Sequence, residues 1–280
     1  MLITDVRFEL RRIETISAVK PTSRITETVV VQEPKHKWNP IHIRDVAFEL
    51  RIPENTPPSC TLDDDASIEY ELVAEASLLT NYASHRSEPQ VRLIQTTAKI
   101  MLDKHDLHST WPVYLNSDFR STQKNGFELL ATWNHACVGP GDQILVKAIF
   151  KSKMGSSNAR VYSIALRRIN EYRLGSDTRA FDPHNNPLIR HSLITTHEYP
   201  VAVPLGPGGA ETQDLGCTLP TMYRTPTVAT ASHIKFLYYL EVRITLDDQS
   251  EVVINDIPIM ISGWPRNISE TMIKYAEIGP

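Results

Sequence analysis

The chain has 280 residues, enough for two domains of ordinary size or one large one. Its 41% hydrophobic and 22% charged residues are close to globular averages, which excludes a disordered chain, and no apolar run is long enough to span a bilayer. A net charge of -4 argues against a polyanionic partner, such as nucleic acid, bound over the whole surface. Because the N-terminus lacks the apolar core of a secretory signal, we expect a cytosolic protein.

The first predicted element belongs to a pattern that occurs twice. Leu-Arg-Arg-Ile-Glu at 10–14 returns as Leu-Arg-Arg-Ile-Asn at 166–170. A second pairing follows in each half and sets Tyr70 against Tyr238. The order and approximate spacing of these pieces agree, which predicts two copies of one architecture.

Apolar residues that alternate with polar ones predict most of the strands, because successive side chains of a strand point to opposite faces. Pro53 ends the first of these runs, and the last should be broken or bulged near Asp256. The runs lie at 46–52, 68–74, 234–244 and 252–261.

A tight turn at 139–142, Gly-Pro-Gly-Asp, leads into residues 143–150, which are apolar on both faces and therefore predict a central strand. Helical periodicity is confined to residues 269–278, where Ser269 is a candidate N-cap.

These patterns predict an all-β fold of two tandem immunoglobulin-like antiparallel β-sandwiches. We place a partial first sandwich at 1–102, a linker at 103–126, a second sandwich at 127–264 and a C-terminal extension at 265–280. The first sandwich is expected to lack its opening strands, because only four residues precede its first matched strand.

Cys60, Cys137 and Cys217 are odd in number and far apart, so we expect reduced, apolar residues rather than a disulfide framework. The acidic and histidine residues at 103–108, the pair of His135 with Cys137, and Asp63 to Asp65 lack the further ligands that a zinc or calcium site needs. We therefore predict no metal, no cofactor and no catalytic residue.

Two basic features are candidate contacts for cargo or acidic lipid. One is the pair of Arg dipeptides, and the other is a loop at 150–160 that we expect to be a hairpin. A structural or solvated role is the alternative for both. The six candidate residues are Arg11, Arg12, Lys151, Lys153, Arg167 and Arg168.

Several segments resemble the arrestin family, and specifically its fungal α-arrestin branch of trafficking adaptors. The turn and Ile-x-Tyr-x-Leu strand at 48–74 is similar to the end of the first arrestin sandwich. Segments of the second sandwich recur here in the same order, and the resemblance covers residues 1–262. They are Gly-Pro-Gly-Asp and its strand at 139–150, Ile-Ala-Leu-Arg-Arg-Ile at 164–169, Tyr-Tyr-Leu-Glu-Val at 238–242 and Ile-Pro-Ile at 257–259.

The resemblance implies an adaptor rather than an enzyme. Such proteins recognise membrane transporters or receptors as cargo and recruit a WW-domain ubiquitin ligase through proline-tyrosine motifs, so that the cargo is internalised. It also implies a cytoplasmic protein recruited to the plasma membrane or endosomes, with peripheral contact to acidic membrane. This chain contains no Pro-Pro-x-Tyr, and Tyr223 in Leu-Pro-Thr-Met-Tyr is expected in a structural turn.

Two other functions remain open at the level of sequence. One is a retromer-type scaffold subunit, which shares the tandem arrestin-like fold and binds a solenoid partner instead of a ligase. The other is a β-sandwich enzyme acting on carbohydrate, which would need two carboxylates paired in a cleft. Nothing in the sequence indicates that any two carboxylates are paired.

Overall fold

The computed structural model describes residues 2–19, 22–32, 39–40, 47–80, 90–104, 118–133, 136–154, 156–173 and 187–275. Within these ranges the chain is nearly all β, with several antiparallel sheets and one short helix, as the sequence predicts. It divides into two compact units with a boundary between Asp103 and Lys104. In the part of the chain that is described, no helix is long and apolar enough to cross a membrane.

The first unit is built on one six-stranded sheet. Its order is β2-β1-β5-β4, while β3 pairs with β1 and β6 pairs with β5. The described residues of this unit thus form one sheet, whereas a sandwich has two. The strands are β1 (Leu2–Ile16), β2 (Ser23–Gln32), β3 (Asn39–Pro40), β4 (Cys60–Leu62), β5 (Ala66–Thr80) and β6 (Gln90–Ile100).

The strand predicted at 46–52 is wrong over its described residues, 47–52, which have no strand pairing. This segment packs against the sheet through the side chain of Phe48 instead of joining the sheet as a strand. Phe48 stacks on Phe8 with ring centroids 4.1 Å apart. The Glu49 backbone N–H also donates to Gln32 Oε1 at 3.2 Å.

The second unit is a sandwich of two sheets, with strand orders β13-β10-β8-β7 and β12-β11-β14-β15-β9. Every second residue of β8, β10 and β14 is buried, which places one face of each strand in a core. The elements are β7 (Asp118–Lys124), β8 (Phe127–Trp133), β9 (Cys137–Val138), β10 (Gln143–Ser152), β11 (Ser157–Tyr172), β12 (Leu188–Leu205), β13 (Ala210–Thr218), β14 (Ile234–Leu246), β15 (Glu251–Ile261) and α1 (Arg266–Tyr275).

The end of the predicted linker is strand rather than linker, because β7 forms a hairpin with β8. Asn125 and Gly126 connect the two strands with φ angles of 53° and 80°. Two successive positive φ angles are what a two-residue type I′ hairpin turn requires, and Asn-Gly is its preferred sequence. Residues 105–117 of the predicted linker lie outside the described residues.

Strand β10 is central in its sheet, as predicted, but only one of its faces is buried. Leu145, on the other face, is 55% exposed. The expected hairpin at 150–160 is wrong, because β10 and β11 belong to different sheets and the loop between them crosses from one sheet to the other.

The bulge predicted near Asp256 is confirmed by a register shift between Leu240 and Val242, opposite two exposed residues of β15. The predicted N-cap of the helix is wrong, because α1 begins at Arg266 and Ser269 is fully buried inside it. The Asp142 carboxylate accepts a hydrogen bond from the Arg266 N–H at 3.1 Å, and so takes over the capping role.

Candidate partner-binding surface

The sequence repeat is also a repeat of strand register. Arg12 lies opposite Tyr70 in the pairing of β1 with β5, and Arg168 lies opposite Tyr238 in the pairing of β11 with β14. On the other side of each strand the register shifts directly before the same arginine pair, between Leu10 and Arg11 and between Leu166 and Arg167. The two copies therefore share pairing, bulge and motif.

In the first copy carboxylates neutralise the buried arginine. Arg12 Nε lies 2.9 Å from Glu14 Oε1, and its Nη2 donates to Glu27. Glu14 is 1% exposed, so this ion pair is shielded from water. The Tyr70 hydroxyl donates to the Pro57 carbonyl at 2.6 Å, and burial raises the pKa of Tyr70 well above its usual value.

In the second copy tyrosine hydroxyls take the place of the carboxylates. Arg168 Nη1 donates to the Tyr223 hydroxyl at 2.8 Å, which lies 2.8 Å from the Tyr238 hydroxyl. The Tyr238 hydroxyl in turn donates to the Thr225 carbonyl at 2.7 Å. The position of Glu14 is taken here by Asn170, as the two motifs already differ in sequence. Tyr223 is thus held in a structural turn, as predicted.

The predicted cargo contacts at the two Arg pairs fall on side chains with partners inside the protein. Arg11 Nε donates to Glu9 Oε1 at 2.9 Å, and Arg167 Nε donates to Glu241 at 2.8 Å. Arg12 and Arg168 are only 9% and 7% exposed. A contact with cargo or lipid needs an accessible cation, so the geometry favours the structural alternative for both pairs.

The two lysines of the inter-sheet loop region differ in their surroundings. Lys151 is exposed at the end of β10. Lys153 Nζ lies 3.5 Å from Glu128 Oε2, which gives it a partner at the surface. Met154, beside them, is 87% exposed. A contact of this loop with acidic membrane stays a prediction.

The described residues contain no group of three or more His, Cys, Asp or Glu side chains that could hold a metal ion. Asp63 to Asp65 form the turn between β4 and β5, where Asp63 has a φ of 41°. Of the residues considered at 103–108, those from 105 on lie outside the described ranges, as does His135.

The three cysteines are free and buried, as predicted. Burial raises the pKa of Cys60 to about 12 and that of Cys217 to about 11. Because the thiolate is the reactive form, both thiols are poor nucleophiles in the folded protein.

Strand β6, which the sequence patterns did not single out, is the most open strand of the first unit. It pairs with β5 on one side, and no described strand pairs with its other side. Residues 91–99 are all exposed, and three of them are large and apolar. Val91, Leu93 and Ile94 are 63%, 58% and 41% exposed. Short edges and inward charges normally protect such strands, and neither is found here.

An apolar cleft borders β6 on one face of the sheet. Ala76 lies opposite Ile94 in the β5–β6 register, and these small and large side chains create a depression beside the strand. Val6 comes from a segment of β1 where the register with β5 shifts, so it reaches the same cleft. The lining residues are Val6, Ala74, Glu75, Ala76, Ile94, Gln95 and Thr96.

No family model and no curated protein match the chain. Among solved structures it is similar to Spo0M, a sporulation control protein from Bacillus subtilis, with 14% sequence identity and a TM-score of 0.39. The match covers 54% of this chain and 56% of that chain, so it spans about half the length of each. A likeness of this strength assigns neither a family nor an activity. What the fold and the surface define is an all-β protein of two units with an open strand edge.

Proposed function

We propose that this protein is an arrestin-like adaptor, a binding protein rather than an enzyme, that holds membrane-protein cargo and links it to a ubiquitin ligase. The observation that carries the proposal is the repeated Arg–Tyr strand pair, Arg12 with Tyr70 and Arg168 with Tyr238. It supports two tandem units built on one plan, as in arrestin-like adaptors. Paired arginines and tyrosines of this kind stabilise a fold. We therefore assign partner binding to exposed strand edges and loops.

Cargo binding and ligase recruitment by the adaptor use different parts of the protein. Cargo binds to the exposed strand edges, where free backbone groups accept an extended segment. The exposed Lys151 adds a weak attraction to acidic membrane at the plasma membrane or endosomes. The ligase, a WW-domain protein, is reached through proline-tyrosine motifs that this chain does not contain.

The test is the surface lifetime of membrane proteins in the source cell, with and without the gene. Surface labelling followed by quantitative mass spectrometry should find a defined subset of transporters or receptors that stays longer at the surface and carries less ubiquitin when the gene is deleted. Re-expression of the complete gene product should restore both. If no membrane protein changes in lifetime or ubiquitin, the adaptor function is wrong.

The sign of the effect separates the adaptor from a retromer-type scaffold. An endocytic adaptor removes cargo from the surface, so its deletion raises the surface level of the cargo. A recycling scaffold returns cargo to the surface, so its deletion lowers that level without a loss of ubiquitin. The second result would replace the proposed function by the scaffold.

A further inference from the structure

The outer edge of β6 is long and regular. Its eleven pairs with β5 run from Tyr70 opposite Ile100 to Thr80 opposite Gln90 without a register shift. The strand contains no proline and no acidic residue. Bulges, prolines and charges are the features by which proteins block an edge, and β6 has only Arg92 and Lys99. A further strand can therefore be added along its whole length.

The two charges of β6 are both positive and lie near its two ends. Lys99 Nζ is 3.3 Å from Glu69 Oε2, but both side chains are largely exposed, so this pair is weak. Arg92 forms no ion pair with any described residue and is exposed. A partner strand with acidic residues near both ends would thus meet a cation at each end.

The same charges disfavour pairing with a second copy of β6. In an antiparallel pair centred between Gln95 and Thr96, Arg92 of one copy would lie opposite Lys99 of the other, and this would occur at both ends. Neither strand has a carboxylate to offset the four cations. Like charges brought together across a strand pair are destabilising.

We propose that β6 binds an extended acidic segment of a partner protein as an additional strand of the sheet. Backbone groups of the segment pair with the open edge, its acidic residues lie near Arg92 and Lys99, and an apolar side chain enters the cleft beside Ile94. The spacing of the two cations corresponds to about 23 Å along a strand, so about eight to ten residues suffice. This inference rests on the proposed function, since it names the cargo segment that the adaptor would recognise.

The test uses the full chain and a synthetic peptide of about ten residues with Glu near both ends and Val and Thr between them. A matched peptide carries Lys in place of each Glu. Both are labelled with fluorescein, and binding is followed by fluorescence anisotropy. The wild-type chain should bind the acidic peptide about tenfold more tightly than the basic one, and added salt should reduce the difference.

Three variants locate the site. Arg92→Glu combined with Lys99→Glu should weaken the acidic peptide about tenfold and strengthen the basic one. Ile94→Asp should weaken both peptides, because it places a charge in the apolar cleft. Lys124→Glu, an exposed charge change in the other unit, is the control and should leave binding unchanged. Circular dichroism and a thermal melt establish that each variant is folded.

Equal affinity for the two peptides, or no effect of the double charge reversal in a folded variant, would overturn the inference. A dimer in light scattering that Ile94→Asp converts to monomer would also overturn it and assign the edge to a second copy. Failure of the β6 site can be distinguished from failure of the adaptor function. Loss of peptide binding with intact effects on surface lifetime rejects the β6 site alone, while peptide binding without any such effect rejects the adaptor.

Discussion

Tyr70 and Tyr238 occupy the same position in the two units and make the same hydrogen bond. Each donates its hydroxyl to a backbone carbonyl 13 residues earlier in the chain, Pro57 in one case and Thr225 in the other. Each also lies opposite the second arginine of the repeated motif. The repeated unit is thus a strand pair together with the segment that precedes its second strand.

The Tyr238 hydroxyl should matter for stability. Tyr238→Phe removes the donor to Thr225 and one partner of Tyr223, in a place where Tyr238 is 4% exposed. The free energy of unfolding should fall by about 1–3 kcal/mol, because buried polar groups lose their partners. Urea unfolding measures the change. Tyr239→Phe is the control, since that hydroxyl is exposed, and an equal loss in both variants would contradict the network.

Arg12 should be more important than an ordinary surface arginine. Arg12→Ala removes the ion pair between Arg12 and the buried Glu14, so the free energy of unfolding should fall by about 3–5 kcal/mol. Arg24→Ala removes an exposed arginine that lies 3.9 Å from Glu71 and should cost at most about 1 kcal/mol. Chemical denaturation compares the two. Similar small losses would mean that the Arg12 pair does not stabilise the first unit.

Gly139 should not tolerate a side chain. A Cβ atom there would overlap the backbone carbonyl of Trp264, so Gly139→Ala must displace the segment that leads into α1. We expect a loss of about 2–3 kcal/mol in the free energy of unfolding. Gly206→Ala is the matched control, because no atom lies within 4 Å of its added Cβ. Equal melting temperatures for the two variants would exclude the close approach.

Acid should destabilise the protein through Glu9 and Glu241. A hydrogen bond from Arg11 lowers the pKa of Glu9, although burial opposes it. Burial favours a higher pKa for Glu241, but hydrogen bonds from Arg167 and Arg243 outweigh burial. The net result is a lowered pKa for Glu241.

A carboxylate with a lowered folded-state pKa stabilises the protein above the usual value of 4.5 and loses that contribution as the pH falls through the lower, folded-state value. The urea midpoint should therefore drop below about pH 4.5, and the drop should be smaller in Glu241→Gln. An identical pH profile in that variant would contradict the assignment.

Much of the fold follows from local patterns. The alternation along 234–244 predicts β14 because each of its alternate residues is buried, and the bulge near Asp256 follows from a break in the same kind of pattern. The repeated motif predicts a repeated register because strand pairing fixes which residue lies opposite the arginine. The Asn125-Gly126 hairpin could also have been found, since that dipeptide is a strong turn signal.

Other features depend on contacts that sequence does not contain. Residues 47–52 alternate like a strand, but Phe48 stacks on Phe8 and the segment packs against the sheet without pairing. Asp142 caps α1 from 124 residues away, which no local signal at Ser269 indicates. The exposure of β6 depends on tertiary contacts, which the sequence does not indicate. Its apolar residues Val91, Leu93 and Ile94 are of the types found in buried strands.

Hydrogen exchange of the β6 backbone, in the full chain with and without the acidic peptide, tests the central claim most directly. The outward-facing amides of 90–100 should exchange quickly in the free protein and become protected when the peptide binds, while those of the edge strand β12 should not change. Protection that appears in β12 or nowhere, with the peptide bound, would contradict an added strand at β6.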